Sequence, residues 1–109
     1  MGPNELLRGH LDPLLLAILE AGPSHGYAII EELKGRSDGA FDLPEGTVYP
    51  ALHRLERDRL LTSAMKEVGG RQRRVYRLTR RGEHALEKRR REWHSFSATV
   101  SAMLHGQPA

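Results

Sequence analysis

The sequence predicts a small, mainly helical α+β domain with three short helices, a two-stranded hairpin and a long final helix. Apolar residues recur at helical spacing in four segments, and a Gly-Gly turn joins two strand-like segments between the third and fourth of them. The length of 109 residues suits one compact unit with a modest core. We therefore expect a folded region over residues 1–80, a final helix over 81–105 that belongs to the same unit, and a disordered tail over 106–109.

The first two predicted helices are short and adjacent. Asp12 and Pro13 suit the N-cap and the first position of a helix, and an apolar stripe follows until Gly22. Ser24 can cap the second helix, whose apolar residues recur every three positions before Gly35. A tight Gly-Pro junction therefore separates the two helices.

The third predicted helix spans residues 45–60. Its buried face carries three apolar residues at spacings of four and three, namely Val48, Leu52 and Leu55. Pro50 interrupts this segment, because proline lacks the backbone donor and its ring clashes with the preceding turn. We therefore expect the helix either to start near Thr47 or to kink at Pro50.

A hairpin and a long helix complete the predicted order. The segments 61–68 and 74–79 have the composition of strands, with a Gly-Gly turn and a basic tip between them. Thr79 can then cap a helix that reaches about Leu104. This order is typical of a winged helix-turn-helix, whose third helix enters the major groove of DNA while the hairpin, or wing, reaches the flanking backbone or minor groove.

Charge is distributed unevenly along the chain, although the formal net charge is only +3. Ten Lys or Arg and two Glu lie between Arg71 and Arg91, which gives this segment a net charge of +8 and the remainder −5. An acidic body with a basic strip is the layout expected of a nucleic-acid binder. A solvated, arginine-rich helix face is the alternative explanation.

The outward face of the third helix carries candidate DNA-binding residues. Seven residues lie on this face or at its margin when successive residues are placed about 100° apart: Gly46, Thr47, Tyr49, Pro50, His53, Arg54 and Arg57. Arg54 and Arg57 can bind phosphates or read guanine edges, and Gly46 permits close approach of the backbone. An ordinary solvated helix face is the alternative.

The predicted hairpin tip, GGRQRR, carries three further candidates for DNA contact. Its glycines allow a tight reversal, and Arg71, Arg73 and Arg74 are expected on an exposed loop, where they can grip phosphates. Exposed arginines also promote solubility, which is the alternative explanation.

The last predicted helix carries apolar residues beyond the compact core. Six residues form the predicted interface: Leu86, Trp93, Phe96, Val100, Met103 and Leu104. A second copy of the chain is the simplest partner, so we expect a homodimer, the alternative being that the helix packs back on its own chain. Trp93 and Phe96 are candidates for binding a small aromatic effector, unless the tryptophan rings simply fill the interface.

The sequence offers no candidates for catalysis, metal binding or membrane insertion. The six histidines include no pair at the i, i+4 spacing, cysteine is absent, and neither a nucleophile elbow nor a P-loop is present. The longest apolar run, residues 14–19, is too short to span a membrane, and no signal segment opens the chain. We expect a soluble, cytoplasmic protein that is not an enzyme and needs no cofactor.

Four stretches of the chain occur in an order and spacing that point to a family. They are HGYAIIEEL, EGTVYPALHRLERD, GGRQRRVYRLTRRG and the helix that contains EWHSF. With them the chain resembles the PadR-type transcriptional regulators from about Leu7 to Leu104, and members with a single C-terminal helix, the LmrR-like branch, are the closer fit. The resemblance implies a homodimer that binds a roughly palindromic operator, with the C-terminal helices crossing at the subunit interface.

The resemblance also implies roles for individual residues. Tyr27, Thr47, Tyr49 and Pro50 match positions that meet DNA in the family, and the arginines of GGRQRR match wing contacts. In the multidrug-sensing branch, a Trp at the position of Trp93 lines a pore between subunits and stacks on flat aromatic ligands. The expected function is therefore that of a repressor that binds an operator and is released by a hydrophobic or aromatic effector, and a winged-helix adaptor for a protein or an RNA is the alternative.

The chain departs from the family pattern at the end of the third helix. The family usually has Asp-Gly-Leu there, whereas this chain has Asp58, Arg59 and Leu60. Glycine suits a left-handed cap, so either Arg59 adopts that conformation at a cost of about 1 kcal/mol or the helix ends differently. The angle of the wing depends on which of the two holds.

Overall fold

Four helices and one three-stranded antiparallel sheet make up the computed structural model, which describes Leu7 and residues 9–106. In chain order the elements are α1 (Leu11–Glu20), β1 (Ser24–His25), α2 (Gly26–Arg36), α3 (Glu45–Arg57), β2 (Leu61–Val68), β3 (Arg71–Leu78) and α4 (Arg80–His105). The predicted α+β fold class with a long C-terminal helix is confirmed. Gly106 ends α4 with a left-handed backbone (φ 65°), and residues 107–109 of the predicted tail lie outside the described part of the chain.

The sheet has three strands in the order β1-β3-β2, one strand more than the sequence predicts. β2 and β3 form the predicted hairpin and pair along all eight residues, from Leu61 opposite Leu78 to Val68 opposite Arg71. β3 therefore begins at Arg71 and not at residue 74, because the arginines of the basic tip complete the ladder up to the Gly-Gly turn. The short strand β1 pairs with the other edge of β3.

The N-caps of α1 and α2 differ from the predicted ones. His10 is the N-cap of α1, so Asp12 lies in the first turn, where a negative charge is favourable beside the helix N-terminus. His25 caps α2, and its Nδ1 accepts a hydrogen bond from the backbone N–H of Ala28 at 3.3 Å. Ser24 is not the cap because it lies one residue before the N-cap position, where its backbone pairs with Tyr76 in the sheet.

Helix α3 begins before Thr47 and contains Pro50 in its interior, so the predicted start near Thr47 is wrong. The carbonyl of Pro44 accepts hydrogen bonds from the N–H groups of Thr47 and Val48 at 3.0 and 3.2 Å, which starts the helix earlier. In a regular helix the N–H of residue 50 would donate to the carbonyl of Gly46, and Pro50 has no N–H. Gly46 and Pro50 are both exposed, so solvent can compensate for the missing donor.

The hydrophobic core lies between the first three helices, the inner face of the sheet and the first turns of α4. Val48, Leu52 and Leu55 are buried on α3, as their spacing predicts, and Tyr76 fills the sheet side of the core. Leu86 is the contribution of α4, with only 2% of its surface exposed. Leu86 is therefore a core residue of its own chain, and its prediction as a dimer-interface residue is wrong because its side chain has no surface left to offer a partner.

The end of α3 is a Schellman motif with Arg59 in the left-handed position. Arg59 has a φ of 64°, and its N–H donates to the Glu56 carbonyl at 2.9 Å. The N–H of Leu60 donates to the Leu55 carbonyl, also at 2.9 Å, which completes the motif. α3 thus ends at Arg57, before the predicted residue 60, and an arginine occupies a conformation that favours glycine.

The start of α4 holds this turn from the other side. The Thr79 hydroxyl, the predicted cap, accepts a hydrogen bond from the Gly82 N–H at 3.0 Å and donates to the carbonyls of Arg59 and Leu60, at 2.8 and 3.0 Å. The Thr79 N–H also donates to the Leu60 carbonyl at 3.1 Å. A side chain at Gly82 would overlap that same carbonyl oxygen. These contacts among Arg59, Leu60, Thr79 and Gly82 are the α3–α4 junction.

Arg59→Gly is expected to stabilise the protein by up to about 1 kcal/mol, because glycine adopts a positive φ without the steric cost that a side chain incurs. Urea unfolding followed by circular dichroism measures the change. Arg57→Gly is the matched control, since residue 57 is the last helical residue of α3 and glycine there should destabilise rather than stabilise, by up to about 1 kcal/mol. Equal effects of the two substitutions would show that the backbone of Arg59 is unstrained.

Candidate nucleic-acid interface

Four of the predicted DNA-binding residues lie side by side on the exposed face of α3. Gly46, Pro50, His53 and Arg57 are all exposed, and they follow one another at spacings of four, three and four, which places them in one row. None of the four is acidic. This row, called the α3 stripe below, therefore presents a neutral to basic surface on a helix whose opposite face is built into the core.

Tyr49 lies beside the α3 stripe, on the side that faces α2. Its ring is half-buried against Gly26, the first residue of α2, and a Cβ at position 26 would overlap the ring. Tyr27, the next residue along the chain, is exposed. The HGY and GTVYP segments are thus brought together, and the close approach of Tyr49 explains the glycine between His25 and Tyr27.

Arg54 lies on the other side of the α3 stripe and faces α1. Its Nη2 donates to Oδ1 of Asp12 at 2.6 Å, and the two side chains are 46% and 34% exposed. Thr47 lies on the same side of α3, in the wall of a groove that also contains Gly9 and Leu11. Arg54 is therefore exposed, as its place on the outward face of the helix predicts, and its guanidinium is paired with a carboxylate.

The wing arginines lie within β3, which corrects the prediction that they occupy an exposed loop. Side chains alternate along a strand, so Arg71 and Arg73 share one face of β3 and Arg74 lies on the other. The Arg74 guanidinium donates to the Ser63 hydroxyl at 3.1 Å, and that hydroxyl donates to Glu56 at 2.7 Å. These bonds tie the wing to α3 and leave Arg71 and Arg73 on the face opposite to the buried Tyr76 side.

His25 lies at the edge of the sheet, where α2 begins. Burial lowers the pKa of its imidazole below the usual value, and the positive charge of Arg73 lowers it further. The neutral imidazole is the form whose Nδ1 can accept the hydrogen bond from Ala28 that caps α2. The depressed pKa therefore favours the form of His25 that holds the start of α2.

The C-terminal half of α4 carries a stripe of apolar residues, of which all but the half-buried Val100 are exposed. Five residues form this α4 stripe: Trp93, Phe96, Val100, Met103 and Leu104. Trp93 is 55% exposed and Met103 81%. The Trp93 ring makes an edge-on contact with His10, with 5.5 Å between centroids, and a tilted contact with Phe96 at 6.1 Å. The stripe thus extends from an aromatic cluster to the end of the helix.

Two neighbouring arginines fasten α4 to α1. The Arg90 guanidinium donates to both carboxylate oxygens of Glu20 at 2.8 and 3.0 Å, and to Glu87 at 2.7 Å. The hydrogen bond from Arg90 lowers the pKa of the Glu20 carboxyl below its usual value. Arg89 donates to the carbonyl of Gly9 at 2.9 Å, just before α1 begins. Both ends of α1 are therefore bound to α4.

Neither a metal-binding cluster nor a membrane-spanning helix occurs in Leu7 and residues 9–106. Among those residues, no group of three or more His, Asp or Glu side chains is arranged to hold a metal ion. In the same region, no helix combines the length and the apolar character that a membrane crossing requires.

Known proteins resemble this chain in both sequence and structure. The model of the Transcriptional regulator PadR-like family matches residues 15–88. A transcriptional regulator of Mycobacterium tuberculosis is 48% identical over 67 residues, which cover 62% of this chain and 60% of that protein.

Two solved structures cover nearly the whole chain. A PadR-like transcriptional regulator from Bacillus cereus has a TM-score of 0.83 and 29% identity, over 94% of this chain and 99% of that one. A PadR family transcriptional regulator from Eggerthella lenta has a TM-score of 0.79 and 34% identity, over 92% of this chain and 86% of that one. With the family model matching more than half of its residues, this chain belongs to the PadR-like family of transcriptional regulators.

Proposed function

We propose that the chain is a repressor that binds a palindromic operator in double-stranded DNA as a homodimer, without catalytic activity. The α3 stripe carries this proposal, because these four neighbouring residues lie in one exposed row on the face of α3 opposite to the core, and none is acidic. Such a surface suits the major groove, where a helix can reach base edges between two rows of phosphates.

The α3 stripe and its neighbours offer groups for both bases and phosphates. Gly46 allows the helix backbone to approach the DNA closely, and His53 and Thr47 can form hydrogen bonds with base edges. Arg57, at the C-terminal end of the stripe, suits a phosphate. The exposed hydroxyl of Tyr27 and the arginine face of β3 would extend the contact along the flanking backbone.

The double variant Arg71→Ala, Arg73→Ala is expected to bind every duplex more weakly. The slope of log affinity against log salt concentration, called the salt slope below, should fall by about two per subunit, since each phosphate contact contributes about one. Sequence preference should persist, because phosphate contacts carry no information about bases. Fluorescence anisotropy with labelled duplexes at several salt concentrations measures affinity and slope together.

Arg74→Ala is the matched control, because Arg74 lies on the same strand but binds Ser63 on the opposite face. This variant should keep the wild-type salt slope. If the double variant also keeps the wild-type affinity and slope, the wing does not contact DNA. A wild-type protein that binds RNA or an acidic protein but no duplex would support the adaptor function instead.

The α4 stripe supports the homodimer. α4 contains 26 residues, which corresponds to about 39 Å of helix, and Leu86 is its last buried residue. The turns that follow expose aromatic and aliphatic side chains, which the same helix of a second copy would cover. Two crossed helices would also hold two α3 stripes at a fixed separation, as two half-sites about 34 Å apart require.

Phe96→Glu is expected to convert the dimer into monomers, because a charge within the α4 stripe would become buried without a partner. Size-exclusion chromatography with light scattering at micromolar concentration measures the mass. Ala98→Glu places the same charge on the opposite side of α4, since residues two positions apart point about 200° apart, and it should leave the dimer intact. A monomeric wild type would contradict the proposed interface.

Trp93 supports a further part of the proposal, namely release of the repressor by a small aromatic or hydrophobic effector. Its indole ring is more than half exposed, with the rings of His10 and Phe96 beside it, so a planar molecule can stack there. The alternative is that the two Trp93 rings of a dimer only fill the interface. To release the repressor, an effector must also bind more tightly to a form of the dimer whose half-site spacing no longer fits the operator. An effector that binds the fitting and the non-fitting form equally leaves the equilibrium between them unchanged.

Titration of the fluorescence of Trp93, the only tryptophan of the chain, with flat aromatic dyes distinguishes the two roles. Effector binding should give quenching that saturates at one ligand per dimer and weakens operator binding. If a varied panel of dyes causes no quenching, and Trp93→Ala reduces only the stability of the dimer, Trp93 is an interface residue.

A further inference from the structure

The ion pair between Asp12 and Arg54 joins α1 to the side of α3. The two atoms, Nη2 of Arg54 and Oδ1 of Asp12, are 2.6 Å apart, and both side chains are partly exposed. A pair of this kind shifts an equilibrium by about two- to fivefold. The pair is therefore strong enough to bias where the guanidinium lies and weak enough for DNA to break.

The residues just before Asp12 contact α4. His10 contacts the Trp93 ring, and Gly9 accepts the hydrogen bond from Arg89. The start of α1, which carries Asp12, is therefore attached to α4 as well as to Arg54. A DNA contact that draws the Arg54 guanidinium away from α1 would break the pair.

We propose that Asp12 is a specificity-determining residue, which competes with DNA for the Arg54 guanidinium and limits how strongly Arg54 discriminates between bases. This role rests on the proposed binding of operator DNA by α3. A guanine offers two acceptors, O6 and N7, and bidentate binding discriminates against other bases by about tenfold or more. Only a duplex that takes Arg54 away from Asp12 bears the cost of breaking the ion pair, and the operator does so more completely than arbitrary DNA. Asp12 thereby lowers affinity for the operator more than affinity for arbitrary DNA.

Asp12→Asn tests this role, because asparagine keeps the shape of the side chain and removes the charge that binds Arg54. The probes are a duplex selected by the wild-type protein from a random library and a scrambled duplex of the same length and composition. For the selected duplex we expect affinity to rise by about two- to fivefold per subunit. The scrambled duplex should gain less, so the ratio between the two affinities rises.

Asp42→Asn is the matched control for the loss of one negative charge. Asp42 lies shortly before α3, and its carboxylate is 3.9 Å from Lys34 in the only ion pair the structure shows for it among the described residues. The ratio between the two affinities should stay at the wild-type value in this variant. Circular dichroism checks that each variant is folded, and Asp12→Ser, with the same expected result, replaces Asp12→Asn if the latter is not.

The Arg54→Ala background separates the ion pair from a general effect of charge. If Asp12 acts through Arg54, Asp12→Asn leaves both affinities unchanged in that background. An equal rise for both duplexes, or a rise that persists in the absence of Arg54, overturns the proposal. A wild-type protein that selects no duplex contradicts the proposed function as well, whereas a selected duplex with an unchanged ratio in Asp12→Asn contradicts only the role of Asp12.

Discussion

The α3–α4 junction is the contact on which the rest of the structure depends. The Leu60 carbonyl receives both the N–H and the hydroxyl of Thr79, and α4 can start against it only because Gly82 has no side chain. β2 leaves this point and β3 returns to it, since Leu61 and Leu78 are paired. The directions of α3, the wing and α4 are therefore set in one place, and a change in any one of them disturbs the other two.

Much of the fold could be predicted from the sequence, because its signals are local. Helical spacing predicted the buried face of α3, and Thr79 was correctly identified as the cap of α4. β1 escaped prediction because two residues show no alternation and the partner strand comes more than forty residues later. The seven-residue spacing between Leu86 and Trp93 groups Leu86 with the predicted interface residues of α4. Only tertiary packing shows at which turn the helix leaves the core.

The candidate interface was predictable at its centre and not at its margins. Helix geometry alone places Gly46, Pro50, His53 and Arg57 in one exposed row. The surroundings of Arg54 depend on α1, whose Asp12 is 42 positions away in the sequence. The hydrogen bonds that hold Arg74 likewise involve Ser63 of β2 and Glu56 of α3, and a local sequence pattern does not predict partners on other elements.

The attachment of α4 to α1 has a mechanical consequence. Arg89 and Arg90 bind the two ends of α1 near the middle of α4, and the helix then continues for fifteen residues beyond Arg90, which is about 22 Å. This length is a lever whose fulcrum lies in those arginine contacts. A tilt of about 10° at the fulcrum displaces the tip by roughly 4 Å over that length. Changes at the base of α4 are thus magnified at its tip, so the residues near Arg90 determine where the far end of the helix lies.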